Sequence, residues 1–195
     1  MGIVTPLSER DLAKDNIESL IKAYLYSMQD IQLVPKGDVL DQLTSIKREK
    51  IEVGPYPNVT LFEAANRIMT DLVILFGVHD LLDGKIPELR FEKYKVELGN
   101  EQKNEHDIHG NDANRELIGE AFNVAPSFFQ GKKRTALKKL EASAQKKGNN
   151  PLILLLYNSD AVNEGYSFKS KENLFHLAVD VPKKYNEYMK SFRLK

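Results

Sequence analysis

Cysteine is absent from the 195 residues. That removes disulfides, thiol nucleophiles and zinc sites built on thiolates, and it suits a reducing compartment. Net charge is absent too, because 28 Lys and Arg balance 28 Asp and Glu; a basic surface for nucleic acid must therefore be local. Long apolar runs are lacking: LVILFGV at 72–78 is far too short to span a bilayer. The segment MGIVTPLSERDLAKD has no apolar core behind a basic start, so no secretory leader is expected. Glycine-rich phosphate loops, nucleophile elbows and zinc-finger spacings are missing as well. A soluble, cytoplasmic protein with no membrane partner is the expectation.

What is present is an ordinary globular composition, 42% hydrophobic and 29% charged, in a chain of single-domain length. One domain over 1–195 is expected, with an N-terminal helical portion at about 8–80 and a core at about 60–160. Leu12, Ile17, Leu20, Ile21, Tyr24, Leu25 and Met28 predict a helix over 8–30 with Ser8 as its cap. A shorter helix is predicted over 37–50, and VGPYPN at 53–58 reads as a loop. Thr60 opens a third, mostly apolar helix, with Glu63 at capping-box spacing.

From residue 88 the period changes. RFEKYKVEL alternates as a strand does, 99–106 is polar, Gly110-Asn111-Asp112 turns the chain, and ELIGEAFNV at 116–124 is a second strand. Ser127 and Gln130 suggest a capping box for a helix reaching Lys147, and LILLLY at 152–157 reads as a strand covered on both faces. FHLAVDV at 175–181 suits strand or helix, and PKKYNEYMKSF a final helix. This order makes an α/β protein with a mixed sheet.

Residues two apart share one face of a strand, so Ile118, Glu120, Phe122 and Val124 point the same way. A carboxylate on that otherwise apolar face must be paired, metal-bound or near solvent. Asp107, on the partner strand or at its end, is placed by the hairpin beside Glu120. Two carboxylates repel, and a divalent cation is one way of keeping both ionised.

Asp107-Ile108, then Glu120-Ala121-Phe122, then a helix and a strand, resemble the PD-(D/E)xK nuclease superfamily. The resemblance covers roughly 60–160, with His106 in place of the motif's Pro and Phe122 in place of its Lys. It implies a restriction-endonuclease-like mixed central sheet flanked by helices. It also implies Mg²⁺-dependent hydrolysis of double-stranded DNA, most naturally as a type II restriction enzyme working as a homodimer. Asp107 and Glu120 would then hold Mg²⁺ with the Phe122 backbone carbonyl. Glu63 is a candidate third acid, although capping suits it better. The alternatives are an inactive nucleic-acid-binding protein on a degenerate nuclease fold, for which Phe122 speaks, and an interaction protein with no nucleic-acid role.

At about a hundred degrees per residue, Gln130, Lys133, Leu137, Leu140 and Ala144 form one helical stripe. If the leucines face the sheet, Lys133 reaches the carboxylates and replaces the missing lysine; otherwise it lies in solvent at the sheet edge. The same helix carries seven cations, Lys132, Lys133, Arg134, Lys138, Lys139, Lys146 and Lys147, against Glu141 alone. Lys132, Arg134, Lys138, Lys139 and Gln130 are the expected DNA contacts, unless the run is simply a solvated face. His106 and His109 read as surface turn residues, and Glu97 is a further acid that a metal could draw in.

Overall fold

The structure is a computed structural model and describes residues 8, 10–29, 31, 37–99, 104–148, 150–168 and 172–193. Its centre is a six-stranded sheet ordered β1-β4-β5-β6-β7-β8, built from Asp11–Ala13, Lys93–Val96, Ile108–Asn111, Glu116–Phe122, Leu152–Asn158 and Leu174–Val179. The first four strands in this order pair antiparallel, and β6, β7 and β8 run parallel. The fold is therefore a mixed α/β sheet flanked by helices. A separate hairpin pairs β2 (Lys50–Val53) with β3 (Tyr56–Thr60).

Helix α3 (Leu61–Leu82) covers one face of the sheet, joined by α1 (Ile17–Ser27) and α5 (Val181–Arg193). Thirteen of its residues are buried, as its nearly continuous apolar surface requires, and Thr60 caps it by accepting from the Glu63 N–H at 3.1 Å. Helix α4 (Pro126–Lys147) covers the opposite face as the crossover between parallel β6 and β7. The two faces make two cores: Leu117, Ala121, Leu154 and Leu156 pack toward α3, while Ile118, Phe122, Ile153 and Leu155 pack toward α4. Unbroken hydrophobicity in β7 follows from this double coverage.

Several expected elements are corrected. The helix placed over 8–30 is strand β1, a turn, and then α1; Ser8 lies in an exposed turn rather than at a cap. Leu12 is buried at the sheet edge opposite Tyr94. The supposed loop at 53–58 belongs to the β2–β3 hairpin, where Gly54 supplies a left-handed turn with φ of 56°. Pro57 is tolerated because a two-stranded sheet has only edges. Helix α4 starts on Pro126 with Ala125 as an N-cap that makes no side-chain bond, so Ser127 and Gln130 form no capping box. Helix α2 (Val39–Arg48) does have one, formed by Asp38 and Asp41. The ambiguous segment at 175–181 is mostly strand β8, and α5 follows it. No described helix is long and apolar enough to cross a membrane.

Candidate active site

The β5–β6 register pairs Ile108 with Gly119, so the next step along the ladder sets Asp107 across from Glu120. The bond from the Ala121 N–H to Asp107 Oδ2, 2.8 Å long, fixes the first carboxyl. Glu97, just past β4, is tied to the same place because its N–H donates to the Asp107 carbonyl at 2.9 Å. These residues open on a cleft of about 530 Å³ at the end of β6, whose walls also include Arg67 and Asp71 from α3 and Lys132 and Lys139 from α4.

Glu120 is 8% exposed, and it is partnered as a nearly buried carboxyl group must be. Lys139 Nζ donates to its Oε1 at 2.6 Å, and His106 Nδ1 stands 3.4 Å from the same oxygen. Burial pushes the Asp107 carboxyl up to about 6, and the Glu120 charge adds to the rise; the Ala121 N–H, Lys139 and Lys132 oppose it. The pair is thus a site short of positive charge even with a lysine attached.

Lys133 is placed elsewhere. Its Nζ donates to the Tyr166 hydroxyl at 3.0 Å and lies 4.5 Å from the centre of the Phe168 ring. The stripe that meets the cleft is Lys132, Ala136 and Lys139, continuing to buried Ser143. Leu137 and Leu140 do pack on the sheet, but over the β7 aromatic cluster, and Lys133 follows them. Phe122 is 2% exposed, with ring centroids 5.8 Å from Phe129 and 6.1 Å from Tyr157. Phe122 on β6 is therefore part of an aromatic core, and the lysine that meets Glu120 comes from helix α4.

Glu63 is the helix-start residue that its spacing from Thr60 favoured: its N–H donates to the Thr60 hydroxyl at 3.1 Å, and its carboxylate pairs with Arg67 rather than lining the cleft. The acid that α3 contributes to the cleft is Asp71, 2% exposed. It accepts from Tyr24 at 2.7 Å, from Tyr56, and from the Gly99 N–H at 3.0 Å. Burial raises its pKa, and those hydrogen bonds counter the rise. A lone acid inside MTDLVILF was a signal for such a residue, since an uncompensated charge there is costly. Glu97, 6% exposed, accepts from the Asn104 N–H at 3.0 Å and its amide at 2.9 Å.

His106 is a buried residue, not a surface turn residue: Nε2 lies 3.0 Å from the Ser143 hydroxyl. His109 is half-buried and pairs with Glu116 at 2.9 Å. Gln130, Arg134 and Lys138 are exposed on the outer side of α4, outside the cleft lining. Among the described residues no group of three or more His, Asp and Glu is suited to hold a metal ion. Asp107 and Glu120 form a carboxylate pair, and Mg²⁺ is in general bound through one or two carboxylates with water and phosphate completing its shell.

No protein-family model matches the chain, and neither a curated protein nor a solved structure is similar to it.

Proposed function

We propose that the chain is a metal-dependent DNA endonuclease of the PD-(D/E)xK kind, most naturally a type II restriction enzyme acting in the cytoplasm. The observation that carries this reading is Lys139 Nζ at 2.6 Å from Glu120, beside Asp107, in one open cleft. Two acids on a hairpin and a lysine within reach of them are the chemical parts of that reaction, and the mixed sheet with helices on both faces is compatible with a restriction-endonuclease-like fold.

In this reading Asp107 and Glu120, with the Phe122 carbonyl, hold Mg²⁺. The bound ion would polarise the scissile phosphate and lower the pKa of a water. Lys139 holds the nearly buried Glu120 in place and offers its remaining N–H donors to phosphate oxygens as their charge grows. Lys132, on the same stripe, supports the DNA backbone at the cleft mouth. Phe122, packed on Phe129 and Tyr157, stiffens the strand that carries Glu120.

That same packing favours a second reading, a DNA-binding protein whose catalytic lysine has been lost from β6. Cleavage of mixed-sequence duplex DNA with Mg²⁺ separates the two. The wild type is expected to give fragments that vanish with EDTA, with Glu120→Ala and, by about a hundredfold in rate or more, with Lys139→Ala. Lys133→Ala should cut normally. DNA binding without cleavage over a broad panel of sequences and metals would move the second reading ahead.

A further inference from the structure

Two neighbouring phenylalanines open α4 and meet opposite fates. Phe129 is 2% exposed and packs on Phe122 and Tyr157, whereas Phe128 is 69% exposed. The backbone under the exposed ring is nevertheless fixed. The Phe128 N–H donates to the Ala125 carbonyl at 2.9 Å, and Phe129 anchors the same turn in the core. At about a hundred degrees per residue, Phe128 falls on the side of α4 that carries Lys132, Thr135 and Lys139, all of which line the cleft. It stands one turn before Lys132 and about 16 Å before Lys139 along the helix axis.

Gly131 adjoins the ring, three residues after Phe128 and four before Thr135 on the helix surface. A Cβ there would meet no atom within 4 Å, and the residue does not have a positive φ. Neither packing nor backbone conformation asks for glycine, which is a poor helix former. The result is an aromatic face beside bare backbone, next to a lysine, on the cleft side of α4. We propose that Phe128 is a stacking platform for one unpaired nucleobase, lying over Gly131, of the strand whose phosphates Lys132 and Lys139 hold.

This rests on the nuclease reading of the cleft and adds the form of DNA that it takes. In an intact duplex both faces of a base are covered by its neighbours. The ring therefore has use only for a base that is unpaired already, or that leaves the duplex at the cost of its stacking. An aromatic face joined to a cationic groove is what sequence-tolerant binding of a single strand requires. A protein partner fits the same place poorly. Beyond the ring, the stripe runs on into Lys132 and Lys139 rather than into apolar side chains, so it lacks the apolar centre of a protein interface.

Fluorescence anisotropy of the full chain in EDTA tests it with three mixed-sequence probes: a blunt duplex, the same duplex with a single-stranded overhang, and one whose overhang is abasic. The wild type is expected to bind the ordinary overhang most tightly. Phe128→Ala should weaken that binding by about tenfold, Phe128→Trp should retain it, and neither should alter affinity for the other two probes. Gly131→Leu should weaken the overhang complex too, by filling the place of the base. Its unfolding midpoint should match or exceed that of the wild type, because the fold has room for the side chain. Overhang affinity untouched by Phe128→Ala, or lost equally on the abasic probe, overturns the inference and leaves the nuclease reading standing. A wild type that binds none of the three probes removes the nuclease reading itself.

Discussion

Asp107 bears a folding cost that follows from its surroundings. Its folded-state pKa is near 6, well above the ordinary aspartate value of 3.8. Between those values the folded protein binds the extra proton, so stability falls as pH rises through that window and the deficit persists above it. Asp107→Asn keeps an acceptor for the Ala121 N–H but cannot ionise. Metal-free Asp107→Asn should therefore melt like the wild type near pH 4 and several degrees higher at pH 8, a gain on the order of 1–2 kcal/mol. Thermal melts of both proteins in EDTA across that range measure the gap, and a gap that does not widen with pH would refute the assignment. Asp107 and Glu120 were legible because a turn and a period-two strand fix which side chains sit across from each other. Lys139 was not, because two adjacent stripes of α4 approach the sheet: Leu137 and Leu140 over the aromatic cluster, Lys132 and Lys139 over the cleft, with Ala136 meeting both. Hydrophobic periodicity finds the buried side of a helix but not which flank of it overhangs a site. His106 was misread for a different reason, since pairing to Ser143 and Glu120 lets a polar ring be buried.

Element by element, legibility followed the strength of the periodic signal. The third and fourth helices and the strands around Glu120 and Leu155 have long patterns and came out in place. The first helix did not begin where expected, because Leu12 stands five residues before Ile17, a step that rotates away from the helical stripe. Asn16 makes the break: its Oδ1 accepts from the Ala13 N–H at 2.9 Å and its Nδ2 donates to the Asp11 carbonyl at 2.8 Å. That side chain closes the turn from β1 into α1 in place of a helix cap. Asn16→Ala should lower stability by about 1 kcal/mol through those two bonds, read as a reduced urea midpoint with an unchanged slope. An unaltered midpoint would mean that the turn holds without them. In the β2–β3 hairpin, two prolines and a glycine masked the strands, because rules that exclude proline from a sheet do not reach edges.

For the whole molecule, the order of helix, hairpin, helix and buried strand was readable, but the width of the sheet was not. Strand β1 has three residues, too few to show alternation, and β4 and β8 gain their places only by pairing with neighbours distant in sequence. Zero net charge hid a further property, the separation of charge across the surface. Lys132 and Lys139 line the cleft, while Lys138 stands outside its lining. A duplex entering the cleft should release counterions mainly from the phosphates that the inner lysines meet. Glu120→Gln, which cannot support cleavage in the proposed mechanism, should bind mixed-sequence DNA with a falling log–log dependence on salt. Adding Lys132→Ala should make that slope shallower by about one unit, and adding Lys138→Ala should leave it unchanged. Fluorescence anisotropy over a salt series distinguishes the two positions. Equal effects would mean that DNA lies along the outer side of α4, and binding insensitive to salt would remove nucleic acid as the partner. The local field of one helix, not the balance of the whole chain, decides whether this surface attracts a polyanion.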